Sequence, residues 1–504
     1  MSAYSGPRTL VDILRARASE RPDHAFLRFE DTSVTCAEAL SRAERTAGTL
    51  VGLGIGPGGR VATMVANSPA AVDVWFGCAI LGAIEVPLNV ELKSDMLVDI
   101  VTRAGCTHLL VAREFLAIVQ PLADRLPTIV TLEDLEGAAV EALPAVTIAP
   151  DDTSVVLFTS GTSGASKGVV LNHRANFRLA HAVIDNVGID ARDVLYTTFP
   201  LFHVAARYVS VLAAMIVGGE AVVHRRFSAS RFWDICRAEG ITAIHYLGTV
   251  PMMLLNQQER LDGAENPVRV AYGAGMPGAH WERFEERFGL RVHELYGSTE
   301  QGAVTFTNDR HRRVGTCGRV VDDTELEIHD AHGDRVPTGT VGEIVVRNRI
   351  PGIFFEGYLD MPDATVRAWR DLWFHTGDLG SLDEDGFLRF HGRLKDAIRR
   401  RGENVSAVEL EQVIDAIDGV HESAAVGVPS ELGEEEILVA VELEAGIDMG
   451  PSEVWAHCVD HLPRYAVPRY LRFVERLPRT STNRVEKYRL ATILPTDHDR
   501  EAAT

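Results

Sequence analysis

Residues 157–173, LFTSGTSGASKGVVLNH, place ten residues made almost wholly of glycine, serine, threonine and one lysine between two apolar runs. Gly161, Gly164 and Gly168 let a backbone turn closely around an anion, Thr159, Ser160, Thr162 and Ser163 offer hydroxyl donors, and Lys167 adds a point charge. The flanks predict a strand, a phosphate-cradling loop and a second strand. A P-loop needs G-x-x-x-x-G-K-[ST]; here Lys167 follows Ser166 and precedes Gly168, so that pattern fails. A flexible Gly/Ser linker has the same composition, but linkers seldom join strongly apolar segments and have no need of an embedded lysine.

The chain of 504 residues is long enough for about three structural units. With 46% apolar and 24% charged residues its composition is that of an ordinary globular protein. A net charge of −21 would repel a phosphate backbone, which argues against nucleic acid as the main partner. The six cysteines form no C-x-x-C pair, as expected of free thiols in a reducing compartment. The N-terminus is charged throughout and has no signal-like apolar stretch. The longest apolar run, 208–217, is about half a membrane span. These features predict a cytoplasmic protein with no membrane span.

Thr35 and Glu38 form a capping box that opens a helix ending near Gly54. Beyond it strands and helices alternate: strands at 60–66, 84–87 and 108–111, helices at 69–81 and 97–104. After the glycine-rich loop come helices at 177–187, 209–217, 228–239, 250–257 and 277–288, with strands at 221–223, 243–246, 268–272 and 292–295. The fold class is therefore α/β, with mostly parallel sheets covered by helices. From 315 to 347 the texture changes to short alternating strands broken by turns, a small antiparallel β subdomain, and the last 110 or so residues read as a separate α+β domain.

Four further stretches carry chemistry. In LYGSTEQG, 295–302, a strand runs into a turn that sets hydroxyls beside Glu300, a combination suited to a Mg²⁺-bound phosphate. In WFHTGDLG, 373–380, Asp378 is placed in a tight turn as a bidentate acceptor for ribose hydroxyls. GRLKDAIRRRG, 392–402, is a basic cluster at a domain boundary, and PRTSTNRVEK, 478–487, is a polar loop presenting Arg484 and Lys487.

In this order the five stretches resemble the adenylate-forming superfamily of acyl-CoA synthetases, luciferases and peptide-synthetase adenylation domains, over nearly the whole chain. The resemblance implies a large ATP- and acid-binding domain at 1–394, with its β subdomain at about 315–392, and a mobile lid at 395–504 turning about Lys395. It further implies that Thr159, Ser160, Gly161, Thr162, Ser163, Gly164 and Lys167 hold the β and γ phosphates of ATP, Thr299 the α-phosphate, and Glu300 the Mg²⁺ ion. Gly273, Ala274 and Gly275, with Tyr296, Gly297 and Ser298, would frame adenine; Asp378 and Arg393 would hold the ribose; Gly402 would approach the thiol in the second step.

The activity implied is activation of a carboxylic acid to an acyl-adenylate with release of pyrophosphate, then transfer to coenzyme A or to a separate carrier protein. His203 stands where amino-acid-activating relatives place an aspartate, so an α-amino acid is not expected. Residues lining the acid pocket would be His203, Arg207, Tyr208, Tyr246, Gly248, Thr249 and Met252, with Arg207 placed to pair with a second anion on the substrate. One departure stands out: where the family has Gly–Lys, with a catalytic lysine, this chain has Asn483 and Arg484. Arg484, or Lys487 three residues on, would take that role. The same departure leaves open a non-CoA acceptor, joining of an amine to nitrite, or a nucleotide-binding protein without catalysis.

Overall fold

The computed structural model describes residues 8–159, 166–248, 250–258, 265–394, 397–400, 403–429, 435–462, 466–480 and 485–501. The chain forms two compact units, one of residues 1–325 with 347–372, the other of 326–346 with 373–504.

The larger unit carries a nine-stranded and a seven-stranded sheet. In the first, the strands Glu220–Val223, Val194–Thr197, Ala243–Leu247, Val270–Ala274 and Arg291–Ser298 pair in parallel in that order. Antiparallel strands close both ends, Gly302–Phe306 on the last of these and Thr32–Thr35 at the far edge. In the second, parallel strands Arg60–Met64, Ile84–Pro87 and His108–Val111 adjoin the antiparallel hairpin Thr153–Thr159 and Lys167–Asn172 that flanks the glycine-rich loop.

Local signals set several elements. The Ser68 hydroxyl accepts from Ala71 N, Pro69 supplies the first helical φ, and Gly82 closes the helix Pro69–Leu81 in the left-handed region. That helix is apolar all round, which suits burial on every side. The capping box of Thr35 and Glu38 is formed in both directions and opens Cys36–Gly52.

The helix expected at 209–217 starts earlier and changes winding. Val204–Ala206 leads into a π-helical stretch, Arg207–Leu212, and on into Ala213–Val217. Within this stretch the Val209 carbonyl accepts from the Tyr272 hydroxyl at 3.2 Å. Asp378 is also placed differently. It lies inside the strand Trp373–Leu382, bent at Gly377 (φ +71°), and not in a tight turn.

In the smaller unit that strand pairs antiparallel with Gly342–Asn348 and Leu388–Arg393. A mixed sheet of Val420–Pro429, Glu435–Leu443, Tyr470–Val474 and His498–Asp499 packs with helices Ala407–Asp415 and Pro451–His461 around Leu410, Ile414, Val439 and Trp455.

Arg178 ties the helix His173–Val187 to the turn that follows Glu300. Its guanidinium bridges Asp323 at 2.7 Å and donates to the Gln301 and Ala303 carbonyls at 3.3 and 2.5 Å; Arg178 is buried and the Asp323 side chain is only 9% exposed. Arg178→Met leaves Asp323 uncompensated and is expected to cost about 3–5 kcal/mol. Urea unfolding against the wild type measures the loss.

Candidate functional site

The parallel strands Ala243–Leu247 and Val270–Ala274 set Tyr246 opposite Gly273 and Leu247 opposite Ala274. Their backbones come so close that a Cβ at Gly273 would collide with the Tyr246 carbonyl, and Gly248 N donates to Ala274 O at 2.9 Å. Gly275 (φ +100°) abuts Gly248, where only glycine fits easily.

Glu294, on the neighbouring strand opposite Gly273, holds this corner from below. Its carboxyl accepts from the Tyr246 hydroxyl at 2.5 Å, from Gly275 N at 2.5 Å and from Met276 N at 3.2 Å. Burial pushes Glu294 up to about 8, although those same hydrogen bonds act to lower it. Glu294 was not among the residues singled out by sequence, since its role rests on where three separate segments meet.

Downstream, Tyr296 is buried and Gly297 passes so close to Gly302 that a Cβ would strike its carbonyl oxygen. The chain then turns through half-buried Ser298, Thr299 and Glu300. The Glu300 carboxylate accepts from Ser298 Oγ at 2.7 Å and from the Tyr358 hydroxyl at 3.0 Å. The Lys167 ammonium stands 4.5 Å over the ring of Tyr358, whose hydroxyl burial and Glu300 together keep protonated. Thr159 and Lys167 are the last paired residues of the hairpin, with Thr159 Oγ1 3.4 Å from Lys167 O. One tyrosine thus joins the stem of the glycine-rich loop to the Ser–Thr–Glu turn. The sequence reading missed Tyr358, which sits in an aromatic run, FFEGY, with no catalytic spacing of its own.

Among the acid-pocket candidates, His203 is half-buried and stands at the N-cap of Val204–Ala206. His245 beside it is pulled down to about 3 by burial and, secondarily, by His203, so it is neutral and stacks on Tyr272 at 5.3 Å. Gly248 is exposed and Met252 half-buried against the core.

Arg207 corrects the sequence reading. Its guanidinium is fully buried, paired with Glu85 at 2.6 and 2.8 Å and donating through Nε to the Leu201 carbonyl, so its charge is already matched within the fold. Tyr208 is likewise turned inward, edge-on to Trp75 at 5.6 Å.

Within the smaller unit, Asp378 and Arg393 are cross-strand partners, with Arg393 Nε 3.3 Å from Asp378 Oδ1. Glu343 accepts from Gly377 N at 3.1 Å and pairs with His375 at 2.7 Å, which fixes the bend before Asp378. Lys487 begins the short helix Lys487–Arg489, its ammonium 2.6 Å from Glu411. Ser160, Gly161, Thr162, Ser163, Gly164, Thr249, Lys395, Gly402 and Arg484 lie outside the described residues.

Among the described residues there is no cluster of three or more His, Cys, Asp or Glu able to hold a metal by protein ligands alone. A single carboxylate beside hydroxyls, as at Glu300, fits a Mg²⁺ ion that keeps most of its other ligands from phosphate and water. No helix among them is long and apolar enough to cross a membrane.

The hairpin stem at Lys167 and the Ser–Thr–Glu turn, linked through Tyr358, therefore lie together in an α/β unit of two sheets, and the comparisons match that unit to enzymes that activate acids with ATP. The chain belongs to the AMP-binding enzyme family, whose model matches residues 14–359, with its C-terminal domain model on 409–484. It is 30% identical to the sulfoacetate–CoA ligase of Cupriavidus necator, over 97% of this chain and 99% of that protein. It is 31% identical to the crotonobetaine/carnitine–CoA ligase of Salmonella arizonae, over 88% and 90%. Among solved structures, ATP-bound MatB from Rhodopseudomonas palustris superposes with a TM-score of 0.88 at 27% identity, covering 95% of this chain and 98% of that one.

The buried carboxyl makes stability depend on pH. Because Glu294 binds its proton more tightly folded than its ordinary value of 4.5, its stabilising effect is full below about 4.5 and lost as pH rises through about 8. Glu294→Gln keeps the acceptor for Gly275 and Met276 without titrating. Thermal midpoints are therefore expected to fall more steeply between pH 5 and 8 in the wild type than in Glu294→Gln.

Proposed function

We infer that the chain is an ATP-dependent, AMP-forming acid–CoA ligase acting on a small or medium, functionalised or aryl carboxylic acid. The observation that carries this is the link from Lys167 through Tyr358 to Glu300, which unites the phosphate-loop stem with the turn that would take the metal. In the first half-reaction a carboxylate oxygen attacks the α-phosphorus of ATP and pyrophosphate leaves. Charge gathers on the phosphates, so donors already in place lower the barrier most. Thr159, Ser160, Thr162, Ser163 and Lys167 would hold the leaving phosphates and Thr299 the α-phosphate. Glu300 would hold Mg²⁺, which neutralises phosphate charge when bound.

Gly273–Gly275 and Tyr296–Ser298 would frame adenine, with Asp378 and Arg393 on the ribose. In the second half-reaction the thiol of coenzyme A displaces AMP, after residues 395–504 turn about Lys395 and bring Gly402 to the thiol. A lid that excludes water protects the adenylate from hydrolysis.

Two observations favour a small functionalised acid. Two relatives at 30% and 31% identity are named for compact, charged acids, sulfoacetate and crotonobetaine or carnitine. His203, half-buried at the N-cap of Val204–Ala206, is polar, unlike the lining of a channel for a long alkyl chain.

A panel of short aliphatic, aryl, sulfonated and betaine acids with ATP, Mg²⁺ and coenzyme A tests the reading by AMP and thioester formation. At least one acid is expected to yield both. Thioester from none contradicts it, and AMP release indifferent to coenzyme A moves the acceptor to a carrier protein or an amine.

Arg484 is assigned the role of the family lysine, since Lys487 is already engaged by Glu411. Arg484→Ala is expected to lower the adenylation rate about 100-fold or more, and Lys487→Ala to leave it within about threefold. Single-turnover pyrophosphate release compares the two.

A further inference from the structure

The segment that carries His203 is held by buried polar groups drawn from elsewhere in the fold. Asn67, itself buried, donates to the carbonyls of Phe199 and His224 at 2.9 and 3.1 Å and accepts from Leu201 N at 2.8 Å. Arg207 donates to the Leu201 carbonyl, and its backbone N–H reaches the His203 carbonyl at 3.3 Å. Arg207 is in turn clamped by Glu85, whose carboxylate also accepts from the Thr63 hydroxyl at 2.8 Å, and by the face of Trp75 at 4.8 Å. Both charged side chains are only 2% exposed.

A small cavity lined by Thr63, Glu85, Leu201, Phe202 and Arg207 lies against the pair, so the segment is not wedged in place by apolar packing alone. The π-helical turn begins at Arg207. Wider winding of this kind costs helix geometry and recurs where a side chain must point a particular way.

A buried ion pair is a poor source of stability, since apolar residues of similar volume often serve as well or better. What this pair supplies that leucine and methionine would not is a directional hold on the Leu201 carbonyl. We propose that Glu85 and Arg207 are positioning residues that fix segment 199–203 and so aim the His203 ring at the acid. The proposal rests on the reading of His203 as part of the acid pocket. It assigns selectivity for the acid to a pair that never touches it.

The test is the double variant Glu85→Leu/Arg207→Met beside Arg207→Lys, each measured for thermal midpoint, for KM of acid and of ATP, and for the His203 ring signal in ¹³C-histidine NMR assigned with His203→Asn. Positioning predicts a double variant that melts at or above the wild-type midpoint, with the acid KM raised about tenfold or more and the ATP KM within about twofold. Arg207→Lys keeps the charge without the fork and is expected to fall between. The His203 signal should move in both variants.

Wild-type KM values for both substrates and an unmoved His203 signal overturn the proposal, as does an equal rise in both KM values with a lowered midpoint. Should the double variant not fold, Arg207→Lys decides by the same split. If the wild type activates no acid, the functional reading fails, while the His203 signal still decides whether the pair positions the ring.

Discussion

Three stretches of the larger unit meet on one carboxyl group. Glu294 holds the Tyr246 hydroxyl from one strand and the amides of Gly275 and Met276 from the loop after the next. Around it the backbones approach so closely that Gly273 has no room for a side chain. The ends of the two strands are therefore fixed relative to the strand that carries Tyr296 to the Ser–Thr–Glu turn. An enzyme that stabilises charge developing on phosphate needs donors that do not reorganise during the reaction, and a buried, multiply bonded carboxyl is a means of holding them. The raised affinity of Glu294 for its proton is the cost of that placement.

The same logic recurs nearby. Arg178 with Asp323 fixes the turn after Glu300, and Arg207 with Glu85 holds the segment before the π-helical turn. Each pair binds backbone carbonyls as well as its opposite charge. Apolar packing fills space around these points but does not set the direction of a carbonyl, and direction is what a site for a planar base and a tetrahedral phosphate requires.

What the sequence disclosed and what it hid divide along that line. The helix Pro69–Leu81 was readable to its ends because Ser68, Pro69 and Gly82 act locally, and so was the capping box of Thr35 and Glu38. The mostly parallel sheets followed from alternating apolar periods, and the adenylating motifs were visible as ordered stretches of unusual composition. Glu294, Tyr358 and Glu85 were hidden because each acts through partners distant along the chain, from Tyr358 to Glu300 or Glu85 to Arg207. Arg207 looked like a substrate ligand for the same reason: a lone arginine near His203 shows its charge in the sequence but not its partner. The strand around Asp378 read as a turn because Gly377 takes a positive φ where the ladder to the neighbouring strand shifts register.

On the proposed mechanism a carboxylate oxygen becomes bonded to the α-phosphorus of ATP, with Lys167, Tyr358 and Glu300 about the phosphates. An acid substrate labelled with oxygen-18 in its carboxylate, turned over with ATP and coenzyme A, tests this by mass spectrometry of the nucleotide product. AMP carrying one labelled oxygen and pyrophosphate carrying none are expected. Unlabelled AMP would contradict it.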